Sequence, residues 1–140
     1  MRLSFSPLAT ALIWVAMVIP TDAAATTAPG MACNSTGTLT FSPAMQILGG
    51  SGNWTGSGNL ACATLNGPFI AAWTGSGSYS STACGTFSMS WSGGNHIDVQ
   101  GWAGIISHGS SPVGSAEFVP SGSTPTVCAT SAAMVAHWYS

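Results

Sequence analysis

From Cys33 onward the chain alternates apolar and hydroxyl-bearing residues almost without interruption. A period of two sends successive side chains to opposite faces of an extended strand, and no stretch keeps the helical period of about 3.6 residues. The alternation is plainest in Trp54-Thr55-Gly56-Ser57-Gly58, which returns as Trp73-Thr74-Gly75-Ser76-Gly77. In each copy Trp and both glycines share one face, and Thr and Ser share the other. Glycine inside a strand weakens it but lets a backbone or a large ring come close. The repeat therefore predicts two neighbouring, tightly curved strands with Trp rings lying over glycine.

The same alternation can be followed along the chain. Leu39 and Phe41 oppose Thr38 and Thr40, and Ala44–Leu48 reads as a short strand of its own. Trp54, Leu60 and Cys62 form one core face, and Phe69, Ala71, Trp73 and Tyr79 another. Phe87, Met89 and Trp91 lead to Gly93-Gly94, a two-residue hairpin signal. The return strand runs from Asn95 to about Ile106, with Ile97, Val99, Gly101, Ala103 and Ile105 facing the core. His96, Asp98, Gln100 and Trp102 face the other way. Ser107–Pro112 and Pro120–Pro125 read as loops, and Met134, Ala136 and Trp138 as the last core face. Seven to eight short strands at this spacing predict an all-β domain, a single small antiparallel β-sandwich or a closed β-barrel.

The first residues carry a different signal. Arg2, the apolar run Leu8–Ile19, Pro20 and Ala23-Ala24-Ala25 have the order of a secretory signal peptide with cleavage after Ala25. The predicted organisation is a signal peptide over 1–25, a flexible leader over 26–32 and one all-β domain over 33–140. No later run is long enough to span a bilayer as a helix. An exported chain with four cysteines reads as two disulfides. If 36–42 pairs antiparallel with the first Trp strand, Cys33 and Cys62 meet at the open end of that hairpin. This favours Cys33–Cys62, and with it Cys84–Cys128.

Charge excludes more than it suggests. Arg2 is the only Lys or Arg in the chain, so the exported part has no cation with which to neutralise phosphates, and nucleic acid is not an expected partner. Beyond the signal the acids are Asp98 and Glu117 and the histidines are His96, His108 and His137. No cysteine or histidine spacing matches a metal site, there is no nucleophile-elbow GxSxG, and no cofactor motif is present. The surface of most interest is His96, Asp98, Gln100 and Trp102. A Trp beside hydrogen-bonding groups on one strand face can stack a sugar ring or anchor a protein.

Cys33 followed by Gly37-Thr38-Leu39-Thr40-Phe41-Ser42-Pro43, Cys62 at the end of the next strand, Gly75-Ser76-Gly77, Cys84-Gly85-Thr86-Phe87, Trp91-Ser92-Gly93-Gly94 and Cys128-Ala129-Thr130 together resemble a group of small secreted actinobacterial β-domain proteins. The resemblance covers about Cys33 to Thr130. It implies an exported, disulfide-bonded β domain and brings no catalytic residues with it. The expected function is thus non-catalytic: an extracellular or cell-envelope binding or structural component, with a glycan or an envelope or secreted protein as partner. The alternative is a small secreted hydrolase or metal-dependent enzyme using His96, Asp98 and Glu117.

Overall fold

The computed structural model describes residues 30–139. The predicted signal peptide and most of the leader lie outside the described residues. Eight strands follow one another: β1 (Ala32–Gln46), β2 (Gly50–Thr64), β3 (Gly67–Ala83), β4 (Thr86–Trp91), β5 (Asn95–Gln100), β6 (Ala103–His108), β7 (Ser111–Ser121) and β8 (Val127–Tyr139). Each pairs antiparallel with the next, and β8 returns to β1, so the sheet is a closed barrel rather than a sandwich. Closure removes the two sheet edges that a sandwich would leave open.

The register sets the width of the interior. Paired residues lead from Cys33 through Trp138, Gly114, Ile106, Ile97, Met89, Tyr79 and Gly52, next to the Ser42–Asn53 pair, and so reach β1 again at Pro43. The return falls ten residues further along β1 (43 − 33). A stagger of this size tilts eight strands strongly, and such a barrel either fills with side chains or holds one small ligand.

The two Trp-Thr-Gly-Ser-Gly copies pair with each other. Trp54 lies opposite Gly77, Gly56 opposite Gly75, and Gly58 opposite Trp73. Each Trp leans over glycine supplied by its neighbours. A Cβ on Gly75 would stand 3.1 Å from the Trp54 ring, and one on Gly37 2.4 Å from Trp73. The expected outer coat is also there: Thr40 faces Thr55, which faces Ser76, and Thr38 faces Ser57, which faces Thr74. These outward positions are polar where a membrane-spanning barrel carries an apolar band. No helix among the described residues is long and apolar enough to cross a membrane.

Both favoured disulfides are present, Cys33–Cys62 and Cys84–Cys128. They sit at opposite ends of the barrel. Cys33 and Cys62 are direct cross-strand partners at the end where the β2–β3 turn lies. Cys84, in the β3–β4 turn, reaches across the other end to β8, four strands away from β4. Two disulfides in a small β domain fit an oxidising, extracellular compartment.

Several local expectations change. Ala44–Gln46 continues β1 instead of forming a separate strand; the ladder against β8 shifts register between Thr40 and Met45, which lets Pro43 sit in a strand. The β4–β5 connection has three residues, Ser92–Gly94, because Trp91 pairs with Asn95. The strand expected over 95–106 is two strands joined by Gly101-Trp102. Beyond that turn the inward phase moves from odd to even positions, so Ile106 is buried and Ile105 is 55 % exposed. His108 and Ser111 pair across a two-residue turn, and Pro120 and Ser121 belong to β7, so both predicted loops are shorter than expected. Phe69 is on the predicted face but near the barrel rim, where it is 42 % exposed.

Tyr79 links the interior to this geometry. Its hydroxyl donates to the Pro43 carbonyl, its ring meets Phe41 edge-on at 5.3 Å, and burial pushes its phenol above the usual pKa of 10.0. The sign follows from linkage. The folded state holds the proton longer than the unfolded state, so the Tyr79 contribution is complete below pH 10 and is lost as pH rises through the folded value. Tyr79→Phe should cost about 1 kcal/mol at pH 8 through the lost hydrogen bond and should flatten the fall in stability above pH 10. Urea midpoints at pH 8 and above pH 10 check both effects.

Candidate functional site

The polar stripe and Trp102 come apart in the structure. His96, Asp98 and Gln100 point outward from β5, with Ser90 and Ser88 beside them on β4 and Ser107, Ile105 and Ala103 on β6. Trp102 does not share that face. Gly101 and Trp102 both have positive φ, 62° and 66°, which is the backbone of a tight hairpin turn that matches strand twist. The turn swings Trp102 over the end of the barrel. Its backbone N–H donates to the Gly85 carbonyl at 3.1 Å, and its carbonyl accepts from Phe118 N–H at 2.8 Å. Its ring lies on Gly85 and meets Phe87 edge-on at 5.6 Å. Trp102 therefore closes one end of the core and does not share the outward face of His96 and Asp98.

Of the three residues of the enzymatic alternative, Glu117 stays apart from His96 and Asp98. Glu117 faces outward from β7 opposite Ala103, with all of β6 between it and β5, while Asp98 lies opposite Ile105. Among the described residues no three His, Cys, Asp or Glu side chains come close enough to hold a metal ion. His108 and His137 each meet an asparagine instead, Asn95 and Asn34.

A different set of residues converges. At the end opposite Trp102 the barrel interior opens as an apolar cavity of about 160 Å³. Four strands each send one Trp into it: Trp54 from β2, Trp73 from β3, Trp91 from β4 and Trp138 from β8. Trp54 and Trp91 meet at 6.0 Å and 87°, and Trp91 and Trp138 at 6.2 Å and 82°, so three indoles form an edge-to-face chain across the lumen. Polar anchors fix three of the rings. Trp54 Nε1 donates to the Ser90 carbonyl at 3.2 Å, Trp73 Nε1 to the Thr36 carbonyl at 3.3 Å, and Trp138 Nε1 to the buried Ser35 hydroxyl at 3.1 Å. Satisfied N–H groups let amphipathic rings stay in an apolar wall. Met89, Ile97, Ile106, Ala116 and Phe118 line the deeper part.

The opening is lateral as well as axial. β4 ends at Trp91, opposite Gly77, so residues 67–76 of β3 have no strand partner on that side among the described residues. Trp73, Thr74 and Gly75 of this stretch and Trp91 border the cavity. No charged residue lines it, and the other end is filled by the buried side chains of Met45, Phe87 and Phe118 under Trp102.

Sequence reasoning placed Trp54 and Trp73 on the inner face correctly but looked for recognition at Trp102. The available signal was the occurrence of inward-phase Trp on four separate strands, Trp54, Trp73, Trp91 and Trp138. Their meeting depends on the closing β1–β8 register, which no local pattern shows. No protein-family model, no curated protein and no solved structure matches this chain.

Proposed function

We propose that the chain is an exported, non-catalytic binding domain that takes a small apolar molecule into the Trp-lined mouth of its barrel. The observation that carries this reading is the cavity of about 160 Å³, walled by four indoles and aliphatic side chains and free of charge. Barrel mouths are a common place for small-ligand sites. Export is supported by the order of Arg2, Leu8–Ile19 and Ala23-Ala24-Ala25 together with the two disulfides. The hydrolase alternative finds no support in the geometry, because β6 separates Glu117 on β7 from His96 and Asp98 on β5.

The test is saturable binding by the oxidised domain. Titration with benzyl alcohol should change Trp fluorescence to a plateau and raise the melting temperature. A ligand at one hundred times its Kd stabilises by about 2.7 kcal/mol. Ala116→Leu, which places a larger side chain in the cavity wall, should keep the fold and abolish the plateau. No saturable change with benzyl alcohol or with cyclohexylmethanol would sink the proposal.

A further inference from the structure

We infer that the ligand of the barrel mouth is an uncharged, planar aromatic molecule about one ring in size, stacked on the inner face of Trp73. This inference rests on the cavity being a binding site. Three features of the wall select the ligand.

Size comes first. The cavity measures about 160 Å³, and about 150 Å³ is enough to hold a single benzene ring. A long acyl chain or a multi-ring molecule would have to extend outside. Charge comes second. None of Asp98, Glu117, His96, His108 and His137 lines the cavity, and its inner polar group is the Ser35 hydroxyl, 2 % exposed and already accepting from Trp138. An ion entering this space would lose its hydration and gain no counter-charge. The Ser35 hydroxyl keeps its own proton to offer, so one hydroxyl or carbonyl on the ligand can be matched.

Shape comes third, and it follows from the glycines. A Cβ on Gly37 would stand 2.4 Å from Trp73 Cζ2, and one on Gly56 3.3 Å from Trp73 Cη2. Trp73 therefore packs closely against the bare backbone of β1 and β2, held there by its N–H bond to Thr36. The same ring borders the lumen. Trp54, Trp91 and Trp138 instead meet one another edge to face. A flat ring can stack on Trp73 while its own edge meets the neighbouring indoles, an arrangement that aromatic quadrupoles favour. A puckered ring of equal size fills the same volume without that complementarity. The unpartnered half of β3 beside Trp73 provides the way in.

The experiment compares three probes on the native, oxidised domain by calorimetry and by NMR of the indole N–H signals. Benzyl alcohol should bind about three- to tenfold more tightly than cyclohexylmethanol, the range expected for a stacked aromatic pair. It should shift the Trp73 indole signal, and its own ring protons should move upfield. Benzoate should not bind measurably. Trp73→Leu should reduce the preference for the aromatic ring to about onefold; Trp73→Phe, which keeps a face, should retain part of it. Equal affinity for benzyl alcohol and cyclohexylmethanol would overturn the aromatic class and leave the cavity reading standing. Benzoate binding as tightly as benzyl alcohol would overturn neutrality. Absence of binding by both neutral probes would remove the cavity reading itself.

Discussion

Gly58→Ala is expected to cost at least about 3 kcal/mol although it adds a single methyl and leaves the outer coat untouched. A Cβ at this position would stand 1.9 Å from the Thr36 carbonyl oxygen and 2.5 Å from the Gly37 Cα. Both obstacles are backbone, and both belong to β1, which is held by β2 on one side and β8 on the other. A flexible side chain could turn away; a strand locked between two ladders cannot. Overpacking of a core usually costs about 1–3 kcal/mol, and more where nothing can yield. Gly77→Ala should behave alike, since its Cβ would meet the Ser90 carbonyl oxygen at 1.8 Å. The control is Ser57→Ala, one residue away on the exposed face, which should stay within about 0.5 kcal/mol of the parent. Urea denaturation of the three variants decides the matter. A Gly58→Ala protein with a midpoint close to that of Ser57→Ala would show that the strands do not approach as closely as described.

Loss of both disulfides should leave the domain unfolded at 37 °C. The Cys33–Cys62 bridge closes a separation of 29 residues and Cys84–Cys128 one of 44. Loop-closure entropy assigns them about 3.6 and about 4.0 kcal/mol. The two loops do not overlap, so the contributions should add to about 7–8 kcal/mol, which is comparable to the whole stability of a typical small domain. Nothing electrostatic is available to compensate, because residues 30–139 contain no Lys or Arg. The bridges also differ in role. Cys33–Cys62 joins two strands that an unbroken ladder from Ala32 to Ser42 already holds in register. Cys84–Cys128 braces opposite walls that share no ladder. Cys84→Ala with Cys128→Ala should therefore lower the urea midpoint more than Cys33→Ala with Cys62→Ala. It should also expose the Trp102 end to hydrogen exchange. A fully reduced domain that still melts within a few degrees of the oxidised one would refute this account.

Much of the barrel could be read from the chain because strand periodicity acts on adjacent residues. The phase of Trp54, Leu60 and Cys62, the reciprocal Trp–Gly contacts of the repeat and the Cys33–Cys62 pair follow from alternation and from antiparallel hairpins, and Cys84–Cys128 is the pair that remains. Trp102 was misplaced for a physical reason. Gly101-Trp102 preserves the alternation while reversing the chain, and Trp is an uncommon occupant of the left-handed region, where φ of 66° costs about 1–2 kcal/mol. Its contacts with Gly85, Phe87 and Phe118 offset that cost, and none of the three is near it in sequence. The mouth was hidden for a related reason. Trp54 and Trp138 are more than eighty residues apart (138 − 54), and they meet through Trp91 only because β8 closes on β1 with a ten-residue stagger. That stagger is a property of the whole ring of strands, and no strand carries it alone.

Closure of β8 on β1 also decides which way the domain faces when it is attached to something. Ala32 is paired with Tyr139, so both ends of the folded unit emerge side by side at the rim next to Ser35 and Trp138. A support, a fused reporter or a neighbouring module joined through either end hangs over the Trp-lined opening and turns the plugged end outward. An immobilised sample would therefore under-report binding for reasons of access alone. The β1–β2 turn, where Leu48 is 95 % exposed, lies at the far end. A label placed there leaves the opening clear, and the difference between the two attachments measures how much of the ligand's path runs through that rim.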